Sequence, residues 1–190
     1  NPYQGCEHGC VYCYARNTHP YWGYSAGLDF ESKILVKVEA ASLLRQYLSR
    51  SSWKGNPIVL SGNTDCYQPL ERKLKITRSY LEVMESFNQA TGIITKNNLV
   101  LRDLDILKQM AEKNLVRVII SITTLDEQLR RQLEPRTVSV KQRLQAVAML
   151  AKEGIPTGVM VAPIIPGLND HFFAISCLFI GFFTVGDTLK

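Results

Sequence analysis

The sequence predicts an α/β fold built on a parallel sheet, and three observations predict it. Short apolar or β-branched runs recur along the chain, at Ile58 to Leu60, Gly92 to Thr95, Val116 to Ile122 and Thr157 to Ala162. Stretches with apolar residues at helical spacing lie between them. Polar loops follow the first three runs: Asn63-Thr64-Asp65, Lys96-Asn97-Asn98 and Thr123-Thr124. Strands that alternate with helices pair in parallel, and loops at the C-terminal strand ends then build the site. Periodicity leaves two architectures open, a doubly wound open sheet and a barrel. No internal repeat of fixed period is present.

In order along the chain, Ala40, Leu44, Tyr47 and Leu48 recur at helical spacing and predict an amphipathic helix. Pro57 leads into the first strand, which Ser61-Gly62 ends. Thr77 is the expected cap of the next helix, with Tyr80, Met84 and Phe87 inward. The second strand follows, and Leu104, Leu107 and Ala111 mark a third helix. After the third strand, a short helix from Asp126 to Leu133 is stopped by Pro135. Ser139 starts a longer helix with Leu144, Val147, Ala148 and Ala151 inward, and Gly154 ends it. Pro163 and Pro166 close the fourth strand.

The chain has 190 residues, 46% of them hydrophobic, which is enough for one domain with a real core. Its formal charge of +5 permits a nucleic-acid partner without requiring one, since no long run of like charge occurs. No apolar stretch has the length of a membrane span; the nearest, Phe172 to Val185, is interrupted by Gly181. No signal peptide opens the chain. Five cysteines, three of them within eight residues, argue against a disulfide framework and for a metal in a reducing compartment, which places the protein in the cytoplasm.

Those three are Cys6, Cys10 and Cys13, at C-x3-C-x2-C spacing. Thiolates are soft ligands that suit iron–sulfur clusters, zinc or copper(I). Gly5 and Gly9 let the loop wrap closely around a compact inorganic core. A cluster that only moves electrons takes four cysteines, whereas three leave one iron open to a substrate or cofactor, as open catalytic zinc sites do. Two alternatives stand beside this reading. One is a structural zinc site that recruits His8 or His19, in a nucleic-acid-binding module without catalysis. The other is an electron-transfer cluster with Cys66 as fourth ligand.

With an aromatic residue before its last cysteine, the triplet resembles that of the radical S-adenosylmethionine superfamily. The stretches Asn1-Pro2-Tyr3-Gln4-Gly5-Cys6, Gly27-Leu28-Asp29-Phe30-Glu31, Thr64-Asp65-Cys66-Tyr67-Gln68-Pro69, Arg102-Asp103-Leu104 and Leu133-Glu134-Pro135-Arg136 resemble its DNA repair photolyase-like branch, related to spore photoproduct lyase. The resemblance covers about residues 1 to 170. It implies a partial (β/α)6 TIM-like barrel of parallel strands. It also implies a [4Fe-4S] cluster on Cys6, Cys10 and Cys13 that reductively cleaves S-adenosylmethionine to a 5′-deoxyadenosyl radical. Reduced flavodoxin or ferredoxin is the implied electron donor.

The resemblance further implies site residues. Tyr12 matches the aromatic beside the adenine. Asn63, Thr64 and Asp65 match the position that binds the methionine amino group. Ser121 and Thr123 match the place that holds the ribose or the carboxylate. Arg136 suits the methionine carboxylate, and Glu134 suits Arg136 or the ribose. Ala162, Pro163 and Ile164 match the adenine-side wall. Spore photoproduct lyases carry a cysteine hydrogen donor; the nearest here is Cys66, at a displaced position, which makes it the one catalytic candidate. Lys33, Lys37, Lys96 and Arg102 suit a phosphate-bearing substrate, and Tyr21, Trp22 and Tyr24 suit base stacking. The chain opens almost on the cysteines, and residues 171–190 form an apolar tail unlike the family pattern. A core over 1–170, truncated at both ends, is therefore expected, and with it the option of an inactive cluster-binding fragment.

Overall fold

The computed structural model describes residues 1–170. The expected apolar tail lies outside the described residues. A two-residue antiparallel ribbon opens the fold, β1 (Tyr3–Gln4) against β2 (Leu35–Val36). Between its strands lie the cysteine loop, a 3-10 segment (Tyr14–Trp22) and a short helix α1 (Asp29–Ser32). Neither ribbon strand was expected, because two residues carry no readable alternation.

Four parallel strands follow: β3 (Ile58–Leu60), β4 (Thr91–Thr95), β5 (Val116–Ser121) and β6 (Thr157–Met160). Helix α2 (Ala40–Leu48) precedes them. Between them run α3 (Glu71–Leu74), α4 (Ile76–Ser86), α5 (Leu104–Glu112), α6 (Glu127–Leu133) and α7 (Val140–Lys152). The strand order is β3-β4-β5-β6, with each strand beside its sequence neighbour. A doubly wound sheet reverses its order at a switch point. The order here does not reverse, which is the barrel pattern. The fold is thus a partial TIM-like barrel, as expected.

Apolar side chains on the helix side of the sheet form the main core, including Leu60, Ile93, Val118, Ile120, Leu81, Met84, Leu107, Met110, Ala146 and Leu150. The buried β-branched strands explain the continuous apolar run of β5. Asp126 caps α6 by accepting from the Gln128 and Leu129 amides, and Ser139 caps α7 in a capping box with Gln142.

Two helix expectations need correction. Thr77 does not cap α4: its hydroxyl donates to the Cys66 carbonyl at 2.6 Å, and Lys75 precedes the helix in the left-handed region. The buried Glu71 carboxylate instead takes the free amides of Thr77 (3.0 Å) and Arg78 (3.4 Å). On α7 the inward face is Val140, Arg143, Ala146 and Leu150, whereas Leu144 and Ala148 are exposed. The helix is turned by about one residue because Arg143 has a buried anion to meet.

Candidate metal centre

The cysteine loop lies over the C-terminal ends of the parallel strands. Its shape needs glycine at two positions. Gly5 has φ +85°, and a Cβ there would lie 2.9 Å from the Phe30 carbonyl. Gly9 has φ +68°, and a Cβ there would sit on the Arg136 guanidinium. Distant segments fasten the loop. The Cys6 amide donates to Phe30 O at 2.9 Å, and the Val11 amide to Leu133 O at 3.0 Å. Gln68 donates to the Gly5 carbonyl and accepts from the Glu7 amide, at 3.1 and 2.9 Å.

Cys6, Cys10 and Cys13 line a cavity of about 550 Å³ together with His8, Tyr12, Tyr14, Asn63, Thr64, Asp65, Lys96, Ser121, Ala162 and Pro163. Burial pushes the Cys10 thiol up to about 12 and raises the Cys13 thiol as well. Thiolates in this cavity therefore need a cationic centre beside them. Among the described residues, no three His, Cys, Asp or Glu side chains approach a common single-ion position. Three thiolates that each take one iron suit a polynuclear cluster, whereas a structural tetrahedral zinc takes four ligands. His8 Nδ1 lies 3.3 Å from Asp65, and His19 Nε2 lies 3.0 Å from the Lys33 carbonyl. The Ser121 hydroxyl and His8 Nε2 are buried without a hydrogen-bond partner, and both residues line the cavity. Unpartnered polar atoms at a cavity wall fit a polar ligand there.

Behind Tyr12 lies a buried polar network. Tyr12 donates its hydroxyl to Glu134, and Thr123 donates to the same carboxylate at 2.7 Å. Arg143, 1% exposed, donates to the other carboxylate oxygen at 2.5 Å and to the Ser121 carbonyl at 3.0 Å. Burial alone would raise the Glu134 carboxyl, but Arg143, Lys96 and the Tyr12 and Thr123 donors hold it below its ordinary value. Burial and this carboxylate push the Tyr12 phenol far up, so it stays a donor. Sequence reasoning missed Arg143; the spacing 140, 143, 146 and 150 was the signal that could have found it.

The structure brings Tyr12, Asn63, Thr64, Asp65, Ser121 and Ala162 to the cavity. Thr123 and Glu134 stand behind Tyr12 rather than in the lining. Arg136 faces away. It donates to the Glu7 carbonyl and pairs with Glu31, which also pairs with Arg16, so the expected carboxylate contact is replaced by a brace on the cysteine loop. Ile164 is 49% exposed and does not line the cavity. Cys66 is fully buried among core side chains and is not in the cavity lining. Of the basic candidates, Arg102 is consumed by Glu71 (2.7 Å) and Asp103 (2.8 Å), and Lys33 by Asp29 (3.2 Å). Lys33 also lies over the Tyr24 ring, 4.9 Å from its centroid. Lys96 lies 5.9 Å from the centroid of the Tyr12 ring. Tyr21 and Trp22 are exposed, by 89% and 55%. Among the described residues, no helix is long and apolar enough to cross a membrane.

Comparison with known proteins places these features in a family. The sequence profile of the Radical SAM superfamily matches residues 1–176. An uncharacterized protein of Mycobacterium tuberculosis is 35% identical over 170 residues, covering 90% of this chain and 50% of that protein. The radical SAM Nalpha-GlyT isomerase of Pseudomonas phage M6 is 26% identical over 172 residues, covering 90% of this chain and 34% of that one. The chain thus spans about half the length, or less, of these relatives. In fold it is similar to a spore photoproduct lyase mutant, with a TM-score of 0.68 at 21% identity over 91% of this chain and 48% of that one. It is also similar to a double mutant of that enzyme with bound AdoMet and dinucleoside spore photoproduct, with a TM-score of 0.61 at 21% identity, covering 85% and 44%. The cysteine loop, the barrel order and the matched profile agree: the chain belongs to the radical SAM superfamily, whose cofactors are a [4Fe-4S] cluster and S-adenosylmethionine.

Proposed function

We propose that this chain holds its [4Fe-4S] cluster on Cys6, Cys10 and Cys13, binds S-adenosylmethionine in the adjoining cavity, and initiates radical chemistry on a nucleic-acid substrate. The observation that carries this reading is the shared cavity. Three cysteines line it together with the partnerless Ser121 hydroxyl and with Lys96, which has no ion-pair partner among the described residues. Cys6, Cys10 and Cys13 would hold the cluster, and three thiolates would leave it a position open to the cofactor. Once reduced, the cluster supplies the electron that splits S-adenosylmethionine into methionine and a 5′-deoxyadenosyl radical.

The chain's own residues bind, orient and shield. Tyr12 is pinned by Glu134 and Thr123 and forms a fixed aromatic wall for the adenine. Ser121 offers a hydroxyl to the ribose or the carboxylate. Lys96 offers a cation to an anionic group. Thr64 spends its hydroxyl on the Tyr3 carbonyl at 2.7 Å and so shapes the loop that presents Asn63. Ala162 and Pro163 close the apolar side and keep water from the radical.

Support for nucleic acid comes from exposed Tyr21 and Trp22, on which bases can stack, and from the net charge of +5. It also comes from structural neighbours that carry a dinucleoside lesion. The electron donor in this reading is a reduced flavodoxin or ferredoxin. The test is anaerobic reconstitution with iron and sulfide, followed by dithionite and S-adenosylmethionine with and without oligonucleotides. 5′-Deoxyadenosine should form, and deuterium should pass between it and the right oligonucleotide. A complete cluster that yields no 5′-deoxyadenosine refutes the proposal.

A further inference from the structure

Helices α2 and α4 pack side by side, and their first residues, Ala40 and Ile76, share one apolar cluster with Tyr3. Helix α4 carries the chain back from β3 to the parallel strand β4, so it starts at the C-terminal ends of the strands, the end that holds the cavity. Basic residues precede each helix start: Lys37 before α2, and Arg72, Lys73 and Lys75 before α4. All four are exposed, and none has an ion-pair partner among the described residues. The backbone beneath them is tied together. The Lys37 amide donates to the Pro2 carbonyl at 3.0 Å, and the next residue, Tyr3, donates its hydroxyl to Glu71 at the start of α3. Neighbouring acids offset this charge only in part. Glu71 is buried and paired with Arg102 at 2.7 Å, Glu7 accepts from the Leu70 amide, and Glu39 is exposed. The cavity-lining loop from Ser61 to Asp65 runs on through Pro69 into α3. The four cations therefore stand at the cavity end of the fold.

We propose that Lys37, Arg72, Lys73 and Lys75 form a docking ridge for the phosphates of a nucleic-acid strand whose target nucleotide reaches the cavity. The proposal rests on the reading that the substrate is a nucleic acid, and it assigns the surface that holds the polymer. Long cationic side chains without fixed partners suit phosphates, contacts that set register without reading sequence. Each phosphate neutralised releases condensed counterions, which gives the ridge a signature in salt dependence. An acidic protein would use the same charges, and the test separates the two.

Binding of a short labelled DNA duplex to the reconstituted chain is followed by fluorescence anisotropy between about 50 and 200 mM salt. The ridge variant carries Lys37→Gln, Arg72→Gln, Lys73→Gln and Lys75→Gln. The control carries Arg50→Gln, Lys54→Gln, Lys113→Gln and Lys152→Gln, at positions that lead into β3, β5 and β6 and so lie at the opposite end of the strands. Each variant loses four positive charges, which takes the net charge from +5 to +1. At ~0.9 per phosphate, the ridge variant should flatten the slope of log affinity against log salt by about 3–4. Over this salt range the wild type should therefore lose about a hundredfold more affinity than the ridge variant. The control should keep the wild-type slope to within about one unit. Circular dichroism and iron content check folding; if the ridge variant fails to fold, the pair Lys73→Gln with Lys75→Gln replaces it, with about half the change in slope. An unchanged slope in the ridge variant overturns the proposal. Equal losses in ridge variant and control also overturn it, since net charge alone then explains binding, but they leave the nucleic-acid reading standing. A wild type that binds neither duplex nor single strand overturns that reading and the ridge with it. Poly-glutamate is the counter-probe: if it binds the wild type as tightly as the duplex and the ridge variant loses both alike, the surface suits an acidic protein and the proposal fails.

Discussion

Replacing Arg143 with Met removes the cation from one of the most enclosed ion pairs in the protein. Arg143 and Glu134 are 1% and 0% exposed at their side chains, and their closest atoms lie 2.5 Å apart. Arg143 also donates to the carbonyls of Ser121 (3.0 Å) and Val138 (3.2 Å). Met fills most of the volume, so little of the loss is cavity. Most of it is the stranded Glu134 carboxylate, since breaking a buried pair from one side costs about 3–5 kcal/mol. At 2–4 °C per kcal/mol for a chain of this size, the midpoint of thermal unfolding should fall by roughly 6–20 °C. Circular dichroism on the purified chain reads this directly. The double variant Arg143→Met with Glu134→Gln should recover part of the loss, because a neutral amide is far cheaper to bury than an unpaired carboxylate. A single variant that loses under about 1 kcal/mol, or a double variant no better than the single, would refute the electrostatic reasoning.

Three further outcomes follow from the site. Single Cys6→Ala, Cys10→Ala or Cys13→Ala variants should fold yet retain little iron and sulfide after reconstitution, whereas Cys66→Ala should keep both, which metal and sulfide analysis checks. Gly9→Ala forces a Cβ into the Arg136 guanidinium at a positive φ, so it should cost at least ~1 kcal/mol in urea unfolding and sharply reduce cluster uptake. Burial works against the Asp65 charge, but His8 and the Lys96 and Tyr67 amides outweigh it and hold the carboxyl near 2, below its ordinary 3.8. Its stabilisation is therefore present above about pH 4 and lost as pH falls toward 2. Over that window the stability gap between wild type and Asp65→Asn should shrink by about 2 kcal/mol, measured by urea unfolding across pH.

The parts of the fold legible in the sequence were those written in adjacent residues. Ile58 to Leu60 and Val116 to Ile122 read as strands because each holds three consecutive apolar residues, and the second is β-branched at five of its seven positions. Asp126 and Ser139 read as helix starts because the amides they satisfy lie two or three residues away. The cysteine triplet was legible for the same reason. What the sequence hid depends on partners far along the chain. Arg143 belongs to the inner face of α7 only because Glu134 waits there to pair with it; by charge alone it points outward. Asp65 read as a cofactor ligand because its partner His8 is 57 positions earlier, and proximity of that kind has no local signature. Arg136 read as a carboxylate binder on its chemistry, but Glu31 and the Glu7 carbonyl claim it from the opposite side of the cysteine loop. Strand order, once known, separated the barrel from the open sheet, a distinction periodicity does not contain.

The fastening of the cysteine loop sets a timetable for making the protein. The thiols leave the ribosome before the segments that fasten them: two of the hydrogen bonds that shape their loop, Val11 to Leu133 and Arg136 to His8, are closed by residues more than 120 positions later. At about 5–20 residues per second of synthesis, that gap is roughly 6–25 seconds. Throughout it the cysteines have no finished cradle. Nascent chains stalled before Leu133 would leave Cys6 and Cys10 exposed, whereas both are buried in the finished fold.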